Sequence, residues 1–246
     1  MIELNKLYNC DCMKLMSQIP DKYFELAIVD PPYGGGANIA DNSVEELCGG
    51  VQTGRLKNGQ DSAGALTNTI SAARMGGTWA TKYRTHTGGI FDKDICHWDI
   101  APPPEYFKEL ARVSKNQIIW GGNYFDLPPT RCFLIWKKLT ISENFTMAMC
   151  EYAWTSFNDN AKIFEYAPQD KARFHPTQKP VALYEWILSR YANKGDKILD
   201  THAGSASSLV ACHNLGFDFV GCEISEEYYK LANERLIAAQ AQLTLF

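Results

Sequence analysis

The sequence predicts an α/β fold built on a mostly parallel sheet. Three observations carry this. From Lys197 the chain reads strand, helix, strand, helix, the spacing of a βαβ unit. The apolar run Glu25–Val29 reads as a short buried parallel strand that stops at Asp30-Pro31-Pro32-Tyr33. A proline-led amphipathic helix over 105–113 precedes another apolar strand, Gln117–Trp120.

The elements follow in order. Leu4 to Cys10 is a strand candidate, and a helical stretch runs from Asp11 to Met16 before Pro20-Asp21 ends it. After strand 25–29 the two prolines remove two backbone donors and fix φ twice, which leaves their carbonyls held as acceptors. Residues 34–97 hold 12 of the 18 glycines and sustain no period, so they read as an insertion that orders on a partner, or as a flexible linker or partly folded surface excursion. Regular structure resumes at Trp98 with Pro102-Pro103-Pro104 and the helix, then strand 117–120, which ends in Gly121-Gly122-Asn123. Cys132–Trp136 and Tyr152–Thr155 are further strands, and the rest of 138–174 is polar and irregular. His175-Pro176-Thr177-Gln178-Lys179-Pro180 leads into a helix over 181–192. Lys197–Asp200 is a strand, 201–206 a turn, and Ser207–Leu215 a helix stopped by Gly216. Phe217–Glu223 is the next strand, and Ser225 caps the last helix with Glu226 and Glu227 in its first turn.

Composition narrows the class. A chain of 246 residues suits one domain, here 1–246, carrying 34–97 as a mobile glycine-rich insertion and 138–174 as a second candidate for target recognition. Hydrophobic residues at 46% against 21% charged exclude global disorder. No apolar run has a membrane-spanning length and the N-terminus lacks a signal-peptide pattern, so a cytoplasmic protein without membrane contact is expected. The eight cysteines form no C-x-x-C pair and the histidines no zinc spacing, so they read as reduced packed thiols, with no metal expected. The net charge of −4 speaks against a polyanionic partner, but its distribution does not. Residues 51–93 carry six basic against two acidic side chains and residues 131–179 seven against five, so the middle of the chain is the basic part.

Two stretches carry chemistry. Asp30 to Tyr33 places a carboxylate, two fixed carbonyls and an aromatic ring at a strand's carboxyl end, where open α/β sheets bind ligands. That set suits a planar group bearing an NH2. A strand-end turn with a buried Tyr is the plainer reading. At the other end, Asp200 closes a strand, a small-residue turn opens a helix, and Glu223 closes the next strand. Small residues let a ligand approach the backbone, and the later acid suits ribose hydroxyls. Gly204 is the only glycine of the turn, so there is no clear pyrophosphate cradle, and Asp200 adds an extra acid. A cationic nucleoside such as S-adenosylmethionine fits better than a dinucleotide.

Taken together, these stretches resemble the amino-methylating DNA methyltransferases of the permuted, or β, class, in which the Asp-Pro-Pro-Tyr motif precedes the cofactor motif. The resemblance covers residues 1–33 and 98–246. It implies a Rossmann-like S-adenosylmethionine-dependent methyltransferase fold with circularly permuted motif order. Asp30, Pro31, Pro32 and Tyr33 look like the catalytic motif, of the N6-adenine type because Asp stands first. The resemblance implies cofactor contacts from Asp11, Asp30, His175, Thr177, Lys179, Asp200, His202, Ala203, Gly204, Ser205 and Glu223. His175–Pro180 matches the family's His-Pro-x-x-Lys-Pro element, at the methionine end of the cofactor, and Trp136-Lys137 a late strand motif. Thr201-His202 replaces the usual Pro-Phe, and Ala206 a glycine. His202 is either a substitute stacking or hydrogen-bonding surface or a solvent-facing loop residue.

The function implied is site-specific methylation of the N6 amine of an adenine flipped out of double-stranded DNA. The resemblance allows a homodimer and a separate restriction endonuclease as protein partners. Cytosine-N4 methylation, methylation of RNA or protein glutamine, and a non-catalytic DNA-binding relict are the competing readings. Asp30 preceding Asp200 favours DNA over RNA or protein, where the order is normally reversed.

Overall fold

The computed structural model describes residues 2–34, 100–144, 148–168 and 173–242. The chain divides into two compact units. One comprises Met1–Pro31, Pro103–Ser142 and Met149–Phe246; the other comprises Pro32–Pro102 and Glu143–Ala148. Within the second unit Gly34 adopts φ +80 and packs on Ala101, whose Cβ would lie 2.9 Å from a Cβ at residue 34. The glycine-rich stretch expected to be an insertion lies, beyond Gly34, outside the described residues.

In the first unit the described elements are β1 (Lys6–Asn9), α1 (Cys12–Met16), β2 (Phe24–Val29), α2 (Pro104–Val113), β3 (Ser114–Trp120) and a 3₁₀ turn (Gly122–Tyr124). They continue with β4 (Phe133–Lys138), β5 (Cys150–Thr155), β6 (Lys162–Tyr166), α3 (Val181–Tyr191), β7 (Lys197–Asp200), α4 (Ser207–Leu215), β8 (Asp218–Glu223) and α5 (Glu226–Ala241). These eight strands form one sheet in the order β1-β8-β7-β2-β3-β5-β4-β6. The pairs from β1 across to β3 are all parallel. β5 runs antiparallel to both β3 and β4, and β6 is parallel to β4.

Each central strand is buried on both faces because successive residues feed two cores. Leu26 and Ile28 enter one core with Leu183, Ile187, Leu209 and Leu236 of α3, α4 and α5. Ala27 and Val29, next to them in sequence, enter the other with Leu15 and Met16 of α1 and Tyr106 and Leu110 of α2. That is why β2 reads as a continuous apolar run rather than an alternation. α2 starts as its prolines require, with Pro104 at its first helical position, and Ser225 caps α5 by accepting the Tyr228 amide at 3.4 Å.

Most strands shift by a residue or two from the sequence expectation, β5 starting at Cys150 rather than Tyr152, and two differ more. β3 begins at Ser114 instead of Gln117, because Ser114 and Asn116 pair with Phe24 and Leu26 although they carry no apolar signal. β6 is unforeseen: it is an edge strand whose Ile163 and Tyr166 stay exposed, so its pattern is not that of a half-buried strand. None of the described helices is long and apolar enough to cross a membrane.

The strand order sets the functional edge. From β7 the chain steps outward through α4 to β8, whereas the described neighbour following β2 is β3, on the opposite side. The carboxyl ends of β7 and β2 therefore flank a topological switch point, the crevice where such sheets bind ligands. The register Ala27↔Leu199 sets Asp200 one pair further on, beside Ile28, so Asp30 follows two residues beyond that pair.

Candidate active site

Asp200 ends β7 nearly sealed from solvent, and both its oxygens work inside the turn. Oδ1 accepts from the His202 amide at 3.0 Å, and Oδ2 accepts from the Ser208 hydroxyl. Burial, against these two bonds and with help from the negative charges of Asp30 and Glu223, raises its carboxyl to about 7. Ala206 holds φ +57 where the family pattern has glycine, a left-handed conformation that costs a residue with a Cβ on the order of 1–2 kcal/mol. Arg235 of α5 clamps this turn, donating to the Ser205 carbonyl and to the Ser207 hydroxyl, each at 2.9 Å.

Glu223 braces the other side. One carboxylate oxygen accepts the Gly204 amide and the other the Ser225 amide, both at 2.9 Å. It thus ties the turn to the start of α5, and burial raises its carboxyl above the usual range. Asp11, expected near the same ligand, caps α1 by accepting the Lys14 amide at 3.0 Å. It follows β1, whose Asn9 is in register with Glu223.

The hexapeptide 175–180 spans the two strand ends. At its start the His175 ring packs on Gly204, where a Cβ would lie 3.3 Å from Cε1. Gly204 has φ +51, so both space and backbone require glycine there. His175 Nδ1 accepts the Thr177 amide at 3.3 Å, which leaves the ring proton on Nε2. Burial first, then the charges of Arg173 and Lys179, push His175 down to about 3, so it is neutral at physiological pH. Near the end of the hexapeptide Lys179, buried, ion-pairs with Asp30 and lies 3.2 Å from Glu151. Ala203 and Ser205 are buried in the turn, Ser205 sharing a hydroxyl contact of 3.1 Å with Ser207.

One expectation needs correcting. His202 is half-buried, with its ring engaged, rather than solvent-facing. Its ring lies edge-on to Tyr106 of α2 with centroids 5.3 Å apart, and its Nδ1 is 3.0 Å from the Thr201 hydroxyl. Tyr106 and Thr201 hydroxyls meet at 2.7 Å, completing a small polar triangle inside the second core. Burial pushes His202 down to about 4, so the turn carries no cation at neutral pH. Sequence reasoning missed Tyr106, Ser208, Arg235 and Glu151. The first three carry no motif, but Glu151 has a signal: a carboxylate within an otherwise apolar and aromatic strand.

The donor set fits a cationic nucleoside. The carboxylates of Asp200 and Glu223, with a neutral imidazole beside them, offer acceptors to hydroxyls, an ammonium and a sulfonium. Among the described residues no cluster could hold a metal ion. Asp30 and Pro31 stand at the end of β2 in this unit; Pro32 and Tyr33 continue into the other.

Fold and strand-end sites together define the class: an S-adenosyl-L-methionine-dependent methyltransferase. A family model described as DNA methylase, of the N6/N4 type, matches residues 24–234, and the chain belongs to this family. It is 23% identical over 269 residues to the type II methyltransferase M1.MboII of Moraxella bovis, covering 95% of this chain and 96% of that protein. The type II methyltransferase M.HpaI of Haemophilus parainfluenzae is 44% identical over 62 residues, but these span 25% of this chain and 20% of that one. The DNA adenine methyltransferase YhdJ of Escherichia coli K12 is 41% identical over 70 residues, 28% of this chain and 24% of its own. Among solved structures, the cytosine-N4-specific PvuII DNA methyltransferase superposes with a TM-score of 0.56 at 10% identity, covering 98% of this chain and 87% of that one. That likeness is one of fold.

Proposed function

We propose that the protein methylates the N6 amine of an adenine extruded from double-stranded DNA. The observation that supports this most is the placement of Asp30 at the carboxyl end of β2, next to the strand that carries Asp200. Asp as the first residue of the tetrapeptide favours adenine over cytosine, on the resemblance.

An exocyclic amine is a poor nucleophile because its lone pair is delocalised into the ring. Asp30 and the Pro31 carbonyl accept its two hydrogens, which draws the nitrogen towards a tetrahedral shape and localises the pair. The carboxylate then stands beside the positive charge that develops on nitrogen. Tyr33 supplies the ring that stacks on the base. Glu223 and Asp11 take the ribose and adenine end of the cofactor; His175, Thr177 and Lys179 take the methionine end; Asp200, His202, Ala203, Gly204 and Ser205 form the turn it lies on. When bound, S-adenosyl-L-methionine would supply an electrophilic methyl group, its S–C bond breaking as the amine forms the N–C bond, with S-adenosyl-L-homocysteine leaving and the methylated amine giving up one proton. The chain's part is to hold amine and methyl in line and exclude water. Basic side chains of 51–93 and 131–179 contact phosphates, with base reading by the same excursions. A homodimer and a restriction endonuclease acting on the same site complete the proposed setting.

The test is methyl transfer from labelled cofactor to DNA, RNA and protein, followed by mass spectrometry of the nucleosides. N6-methyladenine in DNA is expected, and N4-methylcytosine would replace the adenine assignment. Asp30→Ala abolishes transfer and leaves cofactor binding in place; transfer that persisted would sink the mechanism.

A further inference from the structure

The ion pair at Asp30 does not end with Lys179. Lys179 also meets Glu151 at 3.2 Å, and Glu151 meets Lys138 at 2.7 Å. The result is a row of alternating charges, Asp30, Lys179, Glu151, Lys138, two of each sign. Its two lysines are closed off, the Lys179 side chain 2% and that of Lys138 9% exposed, while the Glu151 side chain between them is 26% exposed. The Trp120 ring covers Lys179, with the ammonium 5.2 Å from the ring centroid. Four separate segments contribute: the end of β2, the hexapeptide, β5 and β4.

The antiparallel course of β5 is what makes this possible. Trp120, the last residue of β3, pairs with Ala153, so the start of β5 lies beyond the carboxyl end of β3. Glu151 therefore stands at the same edge of the sheet as Asp30. A parallel strand would have carried that residue to the opposite edge.

We propose that Glu151 is a positioning residue for Asp30, acting through the buried ammonium of Lys179. An ammonium has three donors and no acceptor, so it can be divided between two carboxylates. With a single partner, a buried Lys179 would be drawn wholly onto Asp30 and would compete with the substrate amine for its oxygens. Glu151 takes up part of that ammonium and fixes where it sits. Asp30 is then oriented from behind. Lys138 in turn neutralises Glu151. Burial drives the Glu151 carboxyl upward, but Lys179 and Lys138 outweigh it and hold it down at about 2, so it stays charged throughout the working range.

This inference rests on the DNA-methylation reading, and the experiment separates the two. Wild type, Glu151→Gln, Glu151→Asp and the double variant Glu151→Gln/Lys138→Met are compared for kcat, for KM on DNA and cofactor, and for S-adenosylmethionine Kd by calorimetry. In Glu151→Gln, kcat is expected to fall on the order of 100-fold, the loss that a misplaced catalytic group produces. Cofactor Kd changes far less than kcat. The double variant, which removes Lys138 but gives Lys179 no second carboxylate, stays as slow as Glu151→Gln. A residue that acted only by neutralising Lys138 would be rescued by that second deletion. Unchanged kcat in Glu151→Gln, a loss of cofactor affinity parallel to kcat, or a double variant that regains the wild-type kcat overturns the proposal. Should Glu151→Gln fail to fold, Glu151→Asp carries the test: it must lower kcat by more than it raises cofactor Kd, and equal kcat overturns the proposal. A wild-type protein that transfers no methyl to DNA removes both readings, whereas wild-type transfer with undiminished Glu151→Gln removes only the role of Glu151.

Discussion

Asp200 and His175 are two buried titratable groups displaced in opposite directions, and each has a consequence that can be measured. Asp200 has its carboxyl raised to about 7, chiefly by burial. Below that pH it is neutral, and a cationic ligand must first drive its ionisation. Affinity for S-adenosylmethionine should therefore rise as pH goes from 6 to 8, and Asp200→Asn should flatten that rise; calorimetry at several pH values checks both. For stability the sign is reversed. The unfolded carboxyl ionises near 3.8 and the folded one near 7, so Asp200 costs stability progressively as pH rises between them. His175 has its folded value depressed from 6.5 to about 3. The unfolded chain binds that proton first, so this stability is complete above 6.5 and lost as pH falls towards 3. Acid titration of urea stability should show less loss over that window in His175→Asn than in wild type.

At the scale of elements, close approaches decide tolerance. A Cβ on Gly122, at the start of the 3₁₀ turn, would come 2.4 Å from Trp154 Cβ and 3.1 Å from its backbone nitrogen. The obstacle is the main chain of β5 and cannot swing away. Gly122→Ala should cost about 1–3 kcal/mol, read from urea denaturation. Leu110 of α2 is fully buried in the core shared with α1, so Leu110→Ala should cost about 2–5 kcal/mol. The helices themselves were legible. Pro104 at the first turn of α2, Ser225 at the start of α5 and Gly216 with φ +72 after α4 are local signals whose physics acts within one turn. The start of β3 was not, because Ser114 and Asn116 join the sheet through backbone pairing and carry no apolar mark.

At the scale of the molecule, the net charge of −4 hides a basic middle. If the basic side chains of 51–93 and 131–179 neutralise phosphates, DNA affinity must fall steeply and log-linearly with salt, while cofactor affinity does not. Replacing Arg55, Lys57 and Arg74 by Gln should weaken binding to all sequences alike and make the salt slope shallower; fluorescence anisotropy at several salt concentrations measures it.

What the sequence determined by itself is local or ordinal: the apolar run before Asp30, the strand-turn-helix after Lys197, the hexapeptide at 175–180, and the order of Asp30 before Asp200. Those follow from side-chain periodicity, caps and proline, which act over a few residues, and they sufficed for the fold and the family. Only the tertiary structure decided how the pieces meet. Lys179 reaches Asp30 across a separation of 149 residues, and Glu151 joins them because β5 runs against its neighbours. Gly204 receives the His175 ring, and His202 turns inward to Tyr106. Strand order and direction set those contacts, and both emerge only when every strand has found its place in the sheet.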